Sequence, residues 1–299
     1  MQRTTETPSL ACPRCRGELR HGDEDLRCLR CGAGYALVEG VPILVPEQLS
    51  DQHVHQRTYF DAEFAGYREY TIENWRLSYI ERIFEATGVL NGGAPYLDVG
   101  VGGSGATVIE AARRGVPALG CDLSVPGIRA ARRFAEAEGV AELVDFVVCA
   151  AEALPFADAS IGSASAVAVL EHLDDDTAAM SELARVLRPG ARVWFTVPHA
   201  FRYIPPPVWP FYWWHDRRIG HKRHYDERRL VELCQRHGLE HVQTEFSGHP
   251  VKFLQLALTA LPPVRRPQSR LWWRLERRDR ARGSRPLGAV QLSGVFRRR

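Results

Sequence analysis

The sequence predicts an α/β protein: a doubly wound, Rossmann-like parallel sheet with a small metal-binding module in front of it. Three observations predict it. Short apolar runs alternate with amphipathic stretches from Ala94 to Val197, the pattern of strands joined by crossover helices. A glycine-rich turn, Gly100-Val101-Gly102-Gly103-Ser104-Gly105, follows the first of those runs. Four of the seven cysteines fall in the first 31 residues as two C-x2-C pairs.

The chain has 299 residues, 45% hydrophobic and 25% charged. That allows one large domain, or a medium domain with a small module. Collagen, low-complexity disorder and a disulfide-stapled miniprotein are excluded by composition. No apolar run reaches the roughly 20 residues of a bilayer-spanning helix. Residues 1–10 hold no apolar stretch of the secretory kind, so a reducing, cytoplasmic setting is expected. The net charge of +3 is unevenly spread. After residue 263, twelve arginines face only Glu276 and Asp279, which leaves the preceding body acidic and the tail basic.

The first element is the cysteine module, residues 8–47. Cys12-Pro13-Arg14-Cys15 and Cys28-Leu29-Arg30-Cys31 are separated by twelve residues. Each C-x2-C turn aims two thiolates at one point, and two turns complete the tetrahedral S4 set that zinc favours. A disulfide pair would require an exported protein. Four protein ligands leave no open position, so Cys12, Cys15, Cys28 and Cys31 are expected to hold a structural Zn2+ whose binding folds the module. The stretch from Cys12 through Tyr35 to Gly40-Val41-Pro42-Ile43-Leu44 resembles the Trm112-like zinc ribbons, whose members partner methyltransferases or are fused in front of them. Cys121, Cys149 and Cys234 sit in apolar contexts and read as core residues.

Residues 48–92 read as a helical linker. Asn74 to Phe84 has the apolar spacing of a helix, and Tyr59, Tyr67 or Trp75 are candidates to cover a bound ligand, with core packing the plainer role. Next come the strand Ala94–Val99, the glycine turn and a helix over Ala106–Arg114. A strand over Pro117–Asp122 and a helix over Pro126–Glu138 follow. Strands are read at Leu143–Cys149 and Ile161–Leu170, a helix at Asp174–Leu187 stopped by Pro189-Gly190, and a strand at Ala191–Val197. A further helix is read at Asp226–His237 and a strand at Leu239–Phe246.

Ligands of such sheets bind outside the carboxyl ends of the strands. There the chain offers Asp98 with its glycines, Asp122, Cys149 to Glu152, Glu171-His172 and His199 onward. No lysine or phosphate-loop spacing follows the glycines, which argues against a nucleoside triphosphate. Asp122, 24 residues after Asp98, suits ribose hydroxyls. On these features a nicotinamide dinucleotide and S-adenosylmethionine remain alternatives.

The series LDVGVGGSG, LGCDLS, AEALPFADASIGSASAVAVLEHLDD and RVLRPGARVWFTVP, over Ala94 to Pro198, resembles class I methyltransferases of the small-molecule type. The resemblance implies a seven-stranded methyltransferase sheet over residues 93–249 and S-adenosylmethionine as cofactor. It implies that Asp98, Gly100 and Gly102 shape the pocket for the amino-acid part and that Asp122 holds the ribose. Leu123 would flank the adenine, with Ala151 and Glu152 at its edge, and Glu171 and His172 would border the methyl group and the acceptor. Ser104 stands where the family has its third glycine, and Ala150 where it often has Asp. Those departures leave a cofactor- or partner-binding protein without turnover as an alternative.

Residues 198–226 are proline-broken and aromatic, and read as a lid over the donor site or as a loop packed on the sheet edge. Gly220-His221-Lys222-Arg223-His224-Tyr225 within them resembles the G-H-x-R-x-[YF] element of methyltransferases acting on sugars, lipids and related metabolites. His199, His215, His221 and His224 are candidate bases, with His221 preferred and His172 second. Residues 250–299 read as an apolar, then Arg-rich insertion ending in a final strand over Leu287–Phe296. The Arg-rich segment suits an anionic membrane, nucleic-acid phosphate or a solvated loop equally well. The expected function is methyl transfer to O, N or C of a small, apolar or lipid- or sugar-linked acceptor. Methylation of ribosomal guanine through an RNA-binding ribbon is the second reading, disfavoured by the acidic body and the aromatic lid.

Overall fold

The computed structural model describes residues 10–22, 25–46, 48–72, 74–91, 94–249, 274, 278, 279, 281 and 283–299. Four of the central strands have no exposed residue, and the fifth is buried from Val193 to Val197, as a parallel sheet covered on both faces requires. They are β5 (Tyr96–Val99), β6 (Ala118–Asp122), β7 (Val144–Cys149), β8 (Ile161–Val167) and β9 (Leu187–Pro198). β10 (Leu239–Ser247) and β11 (Gln291–Arg298) complete this edge, with β11 antiparallel between β9 and β10.

Alternation along each strand sorts the core into two layers. Leu97 and Val99 face one cluster with Met180, Leu183 and Leu230, while Tyr96 and Trp194 face another with Ile83, Ile109 and Phe134. The first is roofed by α5 (Asp176–Val186) and α7 (Glu227–Arg236), the second by α2 (Asn74–Thr87), α3 (Ala106–Ala112) and α4 (Val125–Ala137). Three of these helices are capped by a side chain at their start. Ser124 Oγ accepts from Gly127 N ahead of α4, Asp175 from Thr177 N and Ala178 N ahead of α5, and Asp226 from Arg229 N ahead of α7.

The N-terminal strands join the main sheet. β1 (Leu19–His21), β2 (Asp25–Cys28), β3 (Gly34–Val38) and β4 (Val41–Leu44) pair antiparallel, and β4 then pairs parallel with β7 through Ile43↔Val148 and Leu44↔Cys149. Among the described residues the sheet has eleven strands where seven were expected, in the order β1-β2-β3-β4-β7-β6-β5-β8-β9-β11-β10. Leu26 and Leu44 of the ribbon are wholly buried in the main core. Arg16 reaches Glu182 of α5 at 2.8 Å and Arg129 of α4 forks onto Glu39.

Two sequence expectations are corrected. The α5 helix ends at Val186 and β9 begins at Leu187, so Pro189-Gly190 lies inside the strand span, where the register against β8 shifts between Ile161 and Ser163. Within the aromatic run a helix forms, α6 (Trp209–Ile219), with Trp213 and Trp214 more than half exposed. The linker holds a second helix, α1 (Asp51–Phe64), ahead of α2. Of the Arg-rich insertion, residues 250–273 lie outside the described residues. Its far end is pinned where Asp279 accepts from Gly248 N, His249 N and His249 Nδ1. No helix among the described residues is long and apolar enough to cross a membrane.

Candidate functional site

The carboxyl ends of β5 to β9 open on one side of the sheet, and the sequence-selected residues gather there. Asp98 lies at 4% exposure beneath the glycine turn, accepting from Ser165 Oγ and Thr107 Oγ1. Gly100 and Gly102 adopt φ of +71° and +64°, which only glycine takes without strain, and Gly100 N donates to Cys121 O at 2.8 Å. A Cβ on Gly100 would clash with Val169 Cγ2. Gly102 N donates to Asp122 Oδ2 at 3.0 Å and Ser124 N to Asp122 Oδ1 at 2.9 Å, so the carboxylate ties the turn to the end of β6. Leu123 is half-buried beside it, and Ala151 is buried after β7. Ser104 takes a hydrogen bond from Arg76 of α2 at 3.0 Å, a contact glycine would not offer.

Burial raises the Asp98 carboxyl to about 6, with the Ser165 and Thr107 hydroxyls offsetting part of the rise. Its folded value thus exceeds the unfolded one near 4. Stability from this group is present below pH ~4 and is lost as the pH climbs through 6. Asp98→Asn is expected to flatten that pH dependence, raising stability near pH 7.5 by up to about 3 kcal/mol. Urea melts from pH 4.5 to 7.5 check it, and an unchanged slope would refute it.

The α1 helix roofs this opening. Phe64 packs against the turn, where a Cβ on Gly103 would lie 3.0 Å from its ring. His53 Nε2 lies 3.2 Å from Glu152 Oε1, and Ser124 Oγ donates to Asp61 Oδ1 at 2.6 Å. Gln52 Nε2 donates to the carbonyls of His172 (2.8 Å) and Gly220 (3.0 Å), and Gln56 Nε2 to that of Ile219 (3.0 Å). Phe60 stacks on Phe64 and meets His172 edge-on at 5.5 Å. Tyr59 and Tyr67, the aromatics singled out in the sequence, pack on Phe60 and Phe64. Trp75 lies outside the described side chains.

The far end of the opening holds Glu171, His172 and His221. His221 Nδ1 is 2.8 Å from Asp216 Oδ1, and His221 Nε2 is 3.8 Å from Glu171 Oε1. His224 Nε2 takes the second oxygen, Asp216 Oδ2, at 2.8 Å, while its Nδ1 meets His199 O at 2.8 Å. Burial opposes ionisation of Asp216, but these two histidines hold its carboxyl below the usual range. Burial raises Glu171 to about 8, with the Asp216 charge adding to the rise. Burial, with His221 and His215 adding, pushes His172 down to about 3. That leaves His172 a neutral imidazole and a weak base.

The rest of the Gly220–Tyr225 element is anchorage. Lys222 reaches Asp174, Arg223 Nη2 donates to Asp174 O at 3.0 Å, and the buried Tyr225 hydroxyl donates to Asp176 Oδ2 at 2.7 Å. His199 stacks on Tyr203, and its Nδ1 donates to Ala289 O at 3.1 Å. Sequence reasoning missed Asp216, whose only signal is an acid five residues before His221. It also missed the polar row Gln52, His53 and Gln56.

At the other end of the chain, the Sγ atoms of Cys12, Cys15, Cys28 and Cys31 lie within 4.8 Å of one another. Tyr35 OH approaches Cys12 Sγ at 3.1 Å.

Comparison with known proteins places this geometry. Residues 97–195 match a family of methyltransferase domains. An O-methyltransferase of Aspergillus nomiae is 40% identical over 101 residues, 34% of this chain and 45% of that protein. The norajmaline N-methyltransferase of Rauvolfia serpentina is 32% identical over 110 residues, 37% of each. The chain spans less than half the length of these curated relatives. Among solved structures, a geranyl diphosphate C-methyltransferase from Streptomyces coelicolor A3(2), bound to Mg2+, geranyl diphosphate and S-adenosyl-L-homocysteine, superposes with a TM-score of 0.63. It is 15% identical, over 85% of this chain and all of that one. These likenesses show the fold.

Proposed function

We propose that the chain is an S-adenosylmethionine-dependent methyltransferase that methylates O, N or C of a small, apolar or lipid- or sugar-linked acceptor. The carrying observation is the bent glycine turn bound to Asp122 at the end of β6, inside the stretch that matches methyltransferase domains. The residues present fit the cofactor. Glu152 Oε2 is buried without a partner, an acceptor waiting for a donor such as the adenine amino group.

When bound, the cofactor supplies an already activated methyl group, which leaves alignment and water exclusion to the protein. Gly100 and Gly102 let the backbone approach the amino-acid part above Asp98. Asp122 accepts from the ribose hydroxyls, Leu123 and Ala151 flank the adenine, and Glu152 meets its edge. Phe60 and Phe64 keep water out. Glu171, His172 and His221 face the acceptor, and His221, oriented by Asp216, activates it. The four cysteines hold a structural Zn2+ with no position left for a substrate.

The test is calorimetric titration of S-adenosylmethionine and S-adenosylhomocysteine into the zinc-loaded full chain, followed by radiolabelled methyl transfer to a panel of hydroxyl, amine and prenyl acceptors. Micromolar binding of both nucleosides and labelling of at least one acceptor are expected. Absence of binding would reject the assignment.

A further inference from the structure

Three side chains converge at the acceptor end, two of them with a buried polar atom that has no partner. A carboxylate oxygen of Glu171 and one ring nitrogen each of His172 and His221 lie within 4.8 Å of one another. Glu171 is 1% exposed and its Oε2 has no partner, and His172 is 9% exposed with Nδ1 unpartnered.

The protonation pattern follows from the surroundings. His221 Nδ1 faces the Asp216 carboxylate at 2.8 Å, so it carries the hydrogen and Nε2 carries the lone pair. The other nitrogen of His172 is hydrogen-bonded to the backbone of Ile219, which leaves Nδ1 as its lone pair. The point between them thus receives two imidazole lone pairs and the Glu171 carboxyl, whose proton a bound cation would displace. One acceptor hydroxyl brings a single proton and satisfies one of the three. A cation satisfies all of them.

The surroundings are also those of a ligand set. Each imidazole is oriented by an oxygen on its far nitrogen, the carboxylate of Asp216 for His221 and a backbone carbonyl for His172, as metal-binding histidines are. Gln52 fixes the carbonyls of His172 and Gly220 on both sides of the cluster. The neighbouring group His215, Asp216 and His221 is the weaker set, because both Asp216 oxygens are already spent on His221 and His224.

We infer that Glu171, His172 and His221 form a binding site for one divalent transition-metal ion, open on the side that faces the acceptor. Two imidazoles and one carboxylate suit zinc, cobalt, manganese or iron and leave coordination positions free; with the ion bound, His221 is a ligand and the ion, in place of His221, would polarise the acceptor oxygen. An ion with bonds of about 2.1 Å draws the three side chains together by about an ångström. The acceptor class that uses such a site presents a hydroxyl beside a second oxygen, as in a vicinal diol, a hydroxy acid or a phosphorylated alcohol, so that both oxygens reach the ion. The identity of that acceptor rests on the methyltransferase reading, whereas the ion site does not.

Cobalt(II) added to the full chain, its ribbon already loaded with zinc, reads the site directly. One cobalt per chain is expected, with visible ligand-field bands and without the near-ultraviolet charge-transfer band of cobalt on thiolates. Glu171→Gln and His221→Gln are expected to lose it, and Asp216→Asn to weaken it about 10- to 100-fold. Circular dichroism melts and S-adenosylhomocysteine titration of each variant separate lost binding from lost folding. No cobalt beyond the ribbon zinc, cobalt seen only with a thiolate band, or cobalt unchanged in Glu171→Gln and His221→Gln would overturn the site. Cobalt binding without S-adenosylhomocysteine binding would sink the methyltransferase reading and leave the metal site standing; the converse pattern would do the reverse.

Discussion

Asp122→Ala is expected to weaken S-adenosylmethionine binding by at least two orders of magnitude. A carboxylate accepting hydrogen bonds from two ribose hydroxyls contributes about 1.5–3 kcal/mol for each bond, and 1.4 kcal/mol is a tenfold change in affinity. The substitution also frees the amides of Gly102 and Ser124, which Asp122 now holds. The glycine turn then loses its fixed shape along with the ribose contact. Asp122→Asn separates the two effects, since its carbonyl oxygen retains one amide while the charge is gone. Calorimetry on both variants measures this. Alanine binding within fivefold of the parent would mean the ribose lies elsewhere.

Cys28→Ser is expected to release the ribbon zinc and to lower the melting temperature by more than about 5 °C, given that structural zinc contributes of order 10 kcal/mol to modules of this size. The loss spreads because the ribbon is built into the body. Leu26 and Leu44 belong to the main core, β4 hydrogen-bonds along β7, and Arg16 and Glu39 bridge to α5 and α4. Metal content by a chromogenic chelator, with hydrogen exchange over residues 10–46, reads both parts. A variant that keeps one zinc and melts within 1 °C of the parent would show that the cysteines do not hold the metal.

The sequence made the parallel sheet, the glycine turn, Asp122 and the cysteine pairs legible because each is local chemistry: a period, a spacing, a residue type at a turn. What it hid depends on distant contacts. α1 has no apolar stripe, since Gln52 and Gln56 spend their amides on the carbonyls of residues 172, 219 and 220 rather than in a core. α6 is masked by the prolines before it, and Asp216 by the aromatics around it. Val41 to Leu44 reads as the end of a ribbon, and nothing in those four residues tells that their partner strand is a hundred residues away.

That pairing also governs how the protein behaves in a crowd. An open sheet invites other chains to add strands to its border, the more so when the border is long and apolar. Here the border beyond β7 is β1, three residues that include the exposed Arg20 and His21. Without the ribbon it would be β7 itself, Val144-Asp145-Phe146-Val147-Val148-Cys149, four of whose residues are large hydrophobes. The N-terminal strands therefore put a short polar border carrying Arg20 where a longer apolar one would otherwise lie.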